Sequence, residues 1–284
     1  MNINWYPGHM KKTRELLSQQ LKLVDVIFEL LDARIPFSSK NPILDEIIAN
    51  KPRLIILNKM DLADEQVTKS WINYYADAGI KAIPVDAMTG KGLKEAVAEA
   101  DNLIKEKMQS LIQKGRRNRA IRMMIVGIPN VGKSSIINRL AGRRSAKTGD
   151  RPGVTKGKQW VRLRGNMELL DTPGILWPKF EDDEVALNLA FTGAIKDEII
   201  DIESLALKLI DRLWQEDREK LISRYKLNIG LDQTLDILNN IAKNRGCVIS
   251  GGEIDYSRTA NLLMDEFRGG KIGRISLEKP PIVG

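Results

Sequence analysis

Apolar positions fall into short dense runs in the first part of the chain and into helical stripes in the last part. Residues 11–21 put Leu16, Leu17 and Leu21 on one side, which predicts a short amphipathic helix. Val24 to Leu31 is a dense apolar run ending at Asp32, the pattern of a buried strand. Arg53 to Leu57 is a second run, ending at Asn58, and Lys81 to Val85 a third, followed by a helical stretch over 92–112. Strand and helix alternate in this way in a parallel sheet with crossover helices.

A basic break, KGRRNRAIR at 114–122, precedes a further strand at Met123–Val126, a helix start at Lys133–Leu140 and a strand at Met167–Leu170. Beyond Pro178 strand-like runs nearly vanish, and helical periodicity covers 183–192, 203–226, 231–245 and 256–268. The pattern predicts an α/β domain over 1–178 and a small all-helical domain over 179–284. Internal repeats and low-complexity segments are absent from the sequence.

Composition narrows this picture. Apolar residues at 43% support a core, while 29% charged residues and a mean hydropathy of −0.26 fit a soluble chain of 284 residues. No apolar run approaches the roughly 20 residues that cross a bilayer, and Met1 to Lys11 lacks the apolar stretch of a secretory signal. Cys247 is the only cysteine and His9 the only histidine, too few for a Cys/His zinc site. The expectation is a cytoplasmic protein without membrane association and, with no heptad in view, a monomer. A net charge of +8 and a pI near 9.4 favour a polyanionic partner.

The strongest chemical signal is GIPNVGKS, Gly127 to Ser134, between a strand and a helix. Gly127 and Gly132 let the backbone wrap around an anion, and successive N–H groups at the helix start face it. Lys133 would reach the β- and γ-phosphates, and the Ser134 hydroxyl would bind Mg²⁺. DTPG, Asp171 to Gly174, ends the strand at 167–170, with Asp171 on Mg²⁺ through water and the Gly174 N–H on the γ-phosphate. Between the two lies RPGVTKG, whose Thr155 is the candidate to close over Mg²⁺; Thr148 is the alternative.

NKMD, Asn58 to Asp61, follows a strand. The Asp61 carboxylate offers two acceptors that match the N1–H and exocyclic amine of guanine, a donor pair adenine lacks. Lys59 would pack its stem along the base and Asn58 would brace the loop. DAMTGKG, Asp86 to Gly92, follows the next strand and would offer the Ala87 N–H to the guanine O6. Nucleotide contacts are therefore expected from Asn58, Lys59, Met60, Asp61, Asp86, Ala87, Asn130, Val131, Gly132, Lys133, Ser134, Ser135 and Gly174, with Ser134, Thr155 and Asp171 holding Mg²⁺. GTP and GDP are the expected ligands, and NKMD disfavours an ATP-dependent enzyme.

These motifs resemble the five signature elements of the Ras-like GTPase superfamily, where the phosphate loop normally precedes NKxD. Here NKMD and DAMTG come first, a circularly permuted order. With WYPGHM at 5–10, DARIPFSSKNP at 32–42 and the helical tail, the chain is similar over essentially its full length to the ribosome biogenesis GTPase A family of YlqF type. The resemblance implies late assembly of the large (50S) ribosomal subunit, with rRNA or a subunit precursor as partner. Candidate RNA contacts are Arg116, Arg117, Arg119, Arg122, Arg143, Arg144, Lys147, Lys243, Arg245, Arg258, Arg268, Lys271 and Arg274; a solvated helix face is the bland reading.

Many relatives carry a glutamine directly after the DxxG glycine to orient the attacking water. Here Ile175 stands there, which predicts slow intrinsic turnover and a catalytic group from elsewhere. His9 is the candidate catalytic residue, and helix capping or RNA contact are its alternatives. Asn130 matches relatives that bind K⁺ between the phosphates, although it could equally brace the turn. A nucleic-acid-binding module that holds GTP only as a structural ligand is the rival reading. Because the permuted order puts DTPG at the end of the GTPase domain, the helical tail is expected to respond to the nucleotide.

Overall fold

A computed structural model of the chain describes residues 10–48, 51–113, 119–142, 160–163, 167–170, 182–228, 230 and 233–281. The strands are β1 (Val26–Asp32), β2 (Arg53–Asn58), β3 (Ala82–Val85), β4 (Ile121–Gly127), β5 (Trp160–Arg162) and β6 (Met167–Leu170). They form a six-stranded sheet in the order β3-β2-β1-β4-β6-β5. All pairings are parallel except that of β5 with β6. The helices interleaved with them are α1 (Met10–Leu21), α2 (Pro36–Ser39), α3 (Pro42–Ile48), α4 (Glu65–Asp77), α5 (Leu93–Gln113) and α6 (Lys133–Ala141).

Every residue of β1 is buried, which explains why this strand reads as a continuous apolar run rather than an alternating one. Ile27 joins Met124, Val126 and Leu170 in a core closed by Leu17 and Leu21 of α1 and Leu44 and Ile48 of α3. Farther along the sheet, Leu31, Ile55, Leu57 and Ala82 pack with Trp71 and Tyr75 of α4. Helix α4 starts cleanly because the Asp64 carboxylate accepts from the N–H groups of Gln66 (2.8 Å) and Val67 (3.0 Å).

A buried carboxylate lies in the middle of β1. Glu29, on β1, is fully buried beside Arg53, whose Nη1 lies 3.2 Å away. Arg53 also bonds Asp45 of α3, which takes a second bond from Lys40. Burial pushes the Glu29 carboxyl up to about 7, against the pull of Arg53 and Lys40.

The helices that follow are α7 (Asp183–Phe191), α8 (Ile202–Glu216), α9 (Arg218–Tyr225), α10 (Thr234–Arg245) and α11 (Tyr256–Arg268). Leu205, Ala206, Leu209, Ile210 and Leu213 form the buried stripe of α8, which packs against α10 and α11. The helical stretch expected over 203–226 is two helices, divided at Asp217, whose N–H closes α8 on the Leu213 carbonyl.

The chain divides into two compact units. Residues up to Asp183 group with those from Ser276 onward, and Glu184–Ile275 form the second unit. The helical unit thus ends at Ile275, short of the 284 expected from periodicity, because the last residues hydrogen-bond to the sheet-containing unit: Leu277 N–H donates to the Arg34 carbonyl at 2.9 Å.

Candidate functional site

Parallel strands end on the same edge of a sheet, so β1, β2, β3, β4 and β6 all have their C-terminal ends on one side. The chain winds from β1 outward through β2 and β3, then crosses back to β4 on the other flank of β1. The ends of β1 and β4, where the winding reverses, are the usual ligand position in an open α/β sheet. DARIP follows β1, NKMD follows β2, DAMTG follows β3 and GIPNVGKS begins at the end of β4.

Asn58 joins three of these loops. Its Nδ2 donates to the Val131 carbonyl at 2.7 Å, and its Oδ1 accepts from the Ala87 N–H at 3.1 Å. The side chain is buried, so both bonds are sheltered from water. The segments at 58–61 and 127–134 are thereby locked side by side despite lying far apart in sequence. In this structure the Ala87 N–H, expected to face the guanine O6, serves the Asn58 carboxamide.

The phosphate loop has the backbone an anion requires. Gly132 adopts φ +100 and precedes α6, whose N-terminus has no side-chain cap. The first N–H groups of α6, with the half-buried side chains of Ser134 and Ser135 beside them, therefore lack the side-chain acceptor that ends most helices. A Cβ on Gly132 would lie 2.3 Å from Asn58 Nδ2, and one on Gly127 would lie 2.6 Å from the Leu30 carbonyl oxygen. Asn130 is exposed and adopts a left-handed backbone, φ +56, which asparagine tolerates better than most residues. Lys133 folds over the loop, with Nζ 3.0 Å from the Gly127 carbonyl and 2.6 Å from that of Ile128. Burial pulls its ammonium down to about 8.

Lys59 is held by a partner that sequence reasoning did not single out. Its Nζ pairs with Asp32 Oδ2 at 2.9 Å, and Asp32 also takes Nε (2.9 Å) and Nη2 (2.8 Å) of Arg34. The Asp32 N–H donates to Ser39 Oγ at 3.0 Å. Burial works against ionisation of Asp32, but Arg34 and Lys59 hold its carboxyl well below the usual carboxylate range. Lys59 itself adopts φ +61, a left-handed conformation unfavourable for lysine. The available signal was a carboxylate at the C-terminal end of a mostly apolar strand, in register with Asn58 on β2.

Met60, after Lys59, is fixed by its backbone. Met60 N–H donates to the Val85 carbonyl at 3.2 Å, while the Asp61 side chain is exposed and able to meet a base. Asp86 shapes its own loop by accepting from Met88 N–H (2.7 Å), Thr89 N–H (3.2 Å) and the Thr89 hydroxyl. Burial opposes this charge, yet these bonds hold its carboxyl below the usual range. Asp86 thus builds the turn that carries Ala87.

His9, Thr155, Thr148, Asp171, Gly174 and Ile175 lie outside the described residues, as do Arg116, Arg117, Arg143, Arg144 and Lys147. Among the expected Mg²⁺ ligands, Ser134 alone is described, at the start of α6 where a phosphate-bound cation would need it. No cluster of His, Cys, Asp or Glu that could hold a metal occurs among the described residues.

Several arginines expected on an RNA surface are committed elsewhere. Arg119 pairs with Asp25 (2.7 and 2.9 Å), and Arg268 pairs with Asp197 (2.7 Å) while also donating to the Ala190 and Phe191 carbonyls. Arg245 lies 3.4 Å from Glu266 and over the Tyr225 ring, and Arg122 over Trp160. Lys243, Arg258, Lys271 and Arg274 are exposed. No helix among the described residues is long and apolar enough to cross a membrane.

Comparison with known proteins adds four findings. A family model described as 50S ribosome-binding GTPase matches residues 122–240; the match begins in β4 and does not reach back to 58–61. Ribosome biogenesis GTPase A of Bacillus cereus is 51% identical over 284 residues, covering 100% of this chain and 96% of that one. The protein of the same name from Thermotoga maritima is 33% identical over 279 residues, covering 98% and 95%. Among solved structures, GNP-bound YlqF from T. maritima matches with a TM-score of 0.64 at 29% identity, covering 95% of this chain and 98% of that one.

Proposed function

The chain belongs to the ribosome biogenesis GTPase A family, the YlqF-type circularly permuted GTPases, and from that membership we propose a GTP-hydrolysing switch that acts in late assembly of the large ribosomal subunit. It is a GTPase of ribosome biogenesis. The observation that carries the nucleotide reading is the Asn58 link between Val131 and Ala87, because it brings a phosphate-gripping loop and a base-reading loop within the span of one nucleotide.

In this reading Asp61 takes the guanine N1–H and amine, and the stem of Lys59, held by Asp32, lies along the base. Met60 and Asp86 shape the base pocket. The N–H groups from Asn130 through Ser135 surround the phosphates, and Lys133 leaves the Gly127 and Ile128 carbonyls for the β- and γ-oxygens. Ser134 would hold Mg²⁺ with Thr155 and Asp171, where the ion would neutralise charge on the β- and γ-phosphates. Gly174 meets the γ-phosphate. With isoleucine at 175, His9 orients the attacking water, and Asn130 would hold a K⁺ ion that would supply positive charge beside the phosphates.

The exposed Lys243, Arg258, Lys271 and Arg274, in a chain of net charge +8, support rRNA in a subunit precursor as the partner. The protein works as a cytoplasmic monomer. The test is GTP turnover with and without large-subunit precursor particles. Stimulation by the particles that His9→Ala removes while nucleotide binding persists is the expected result. Turnover indifferent to the particles overturns the switch, and an unchanged single-turnover rate in His9→Ala removes that residue from the mechanism.

A further inference from the structure

We propose that the segment Ser276–Glu278 is a positioning element for the guanine-reading loop, and that it sets how long the nucleotide stays bound; this rests on the assignment of 58–61 to guanine. The chain leaves the helical unit at Ile275 and enters this segment at once, and the segment groups with the sheet-containing unit.

Its contacts are specific. Leu277 is buried, and its N–H donates to the Arg34 carbonyl at 2.9 Å. Ser276 Oγ accepts from the Asp64 N–H at 3.1 Å. The Glu278 carboxylate accepts from the N–H groups of Phe37 (2.7 Å) and Ser38 (3.0 Å) and from the Ser38 hydroxyl. The Glu278 carbonyl accepts from Trp71 Nε1 at 3.1 Å.

Three of the anchors connect to the NKMD loop. Arg34, held at its carbonyl by Leu277, holds Asp32 through its guanidinium, and Asp32 holds Lys59. Helix α2, capped by Glu278, supplies the Ser39 hydroxyl that receives the Asp32 N–H. A helix of four residues cannot sustain itself, and α2 has no side-chain cap from its own N-cap residue, Ile35. A carboxylate distant in sequence therefore does what a local Ser or Asp does elsewhere, with charge-assisted bonds. Asp64, gripped by Ser276, caps α4 just beyond Asp61. The left-handed backbone at Lys59 persists only while its surroundings hold it. Loosening the strap relaxes Asp32 and Lys59 together and lets Asp61 drift from the base.

The experiment compares wild type with a Ser276→Ala/Glu278→Gln double variant and with Glu278→Asp, using a fluorescent GDP in stopped flow, steady-state GTP kinetics and circular dichroism for folding. The double variant is expected to release GDP about tenfold faster and to raise KM for GTP by a similar factor, with most of the change in KM rather than kcat. Glu278→Asp, which keeps the charge, is expected to recover part of the slow release. Release at the wild-type rate from both variants overturns the proposal while the guanine assignment stands. A smaller folded fraction that releases GDP at the wild-type rate also overturns it, since the strap would then act on folding alone. A wild-type chain that binds ADP as well as GDP overturns both the assignment and the strap.

Discussion

A Cβ placed on Gly132 would lie 2.3 Å from the side-chain nitrogen of Asn58. The loop at 127–134 and the loop at 58–61 are packed too closely for a side chain between them, and φ +100 at Gly132 disfavours one independently. Gly132→Ala is expected to weaken GDP binding at least about tenfold and to destabilise the fold by about 1–3 kcal/mol. Asn58→Ala loses both loop-joining bonds and is expected to weaken binding to a similar degree. Titration with a fluorescent GDP and urea unfolding check both variants.

On the proposed reading, Asp61 would discriminate bases through acceptors alone. Asparagine at that position replaces one acceptor with a donor, which meets the 2-oxo group of xanthine and leaves the guanine amine facing another donor. Asp61→Asn is expected to lose GTP affinity by about two orders of magnitude and to gain affinity for xanthosine triphosphate. Competition between the two nucleotides on the variant measures the exchange, and a uniform loss for both would remove Asp61 from base recognition.

Lys133 makes binding sensitive to alkaline pH. Its ammonium is pulled down to about 8 by burial, while a phosphate beside it would favour the charged form and raise that value. Above pH 8 the lysine must take up a proton as nucleotide binds, so affinity falls as pH rises. At pH 8.5 about three-quarters of a proton should be taken up per GDP bound. Calorimetry in two buffers of different ionisation enthalpy counts that proton, and Lys133→Met should abolish its uptake.

Glu29 makes stability sensitive to neutral pH with the same sign. The folded chain keeps this carboxyl protonated up to about 7, whereas an unperturbed glutamate titrates near 4.5. The folded state therefore binds the extra proton between those values, and stability falls as pH rises through that window. The group's contribution, about 1–3 kcal/mol, is present at low pH and gone above about 7. Glu29→Gln, neutral throughout, should flatten the difference in urea midpoint between pH 5 and pH 8. An equal slope in wild type and variant would show that the buried glutamate is not the source.

The core strands were legible because β1, β2 and β4 are almost wholly buried and so read as dense, mostly apolar runs. Short α2 and α3 and the three-residue β5 carry too few periods to register as patterns, and the structure alone reveals them. The two helices at 202–216 and 218–225 share one helical periodicity, which hid the break at Asp217. Arg119, Arg245 and Arg268 looked like partners for RNA because sequence counts charge and does not show that Asp25, Glu266 and Asp197 neutralise it.

The linear sequence by itself determined the chemistry: which loops carry an anion-binding backbone, which carboxylate suits guanine, and that their order is permuted. Those properties are local, set by a few consecutive residues and the strand before them. Only the tertiary structure decided how the loops are held. The Asn58 staple, the Asp32 grip on Lys59 and the Glu278 cap on α2 join residues separated by up to 241 positions, and no periodicity or spacing records a bond across such a distance.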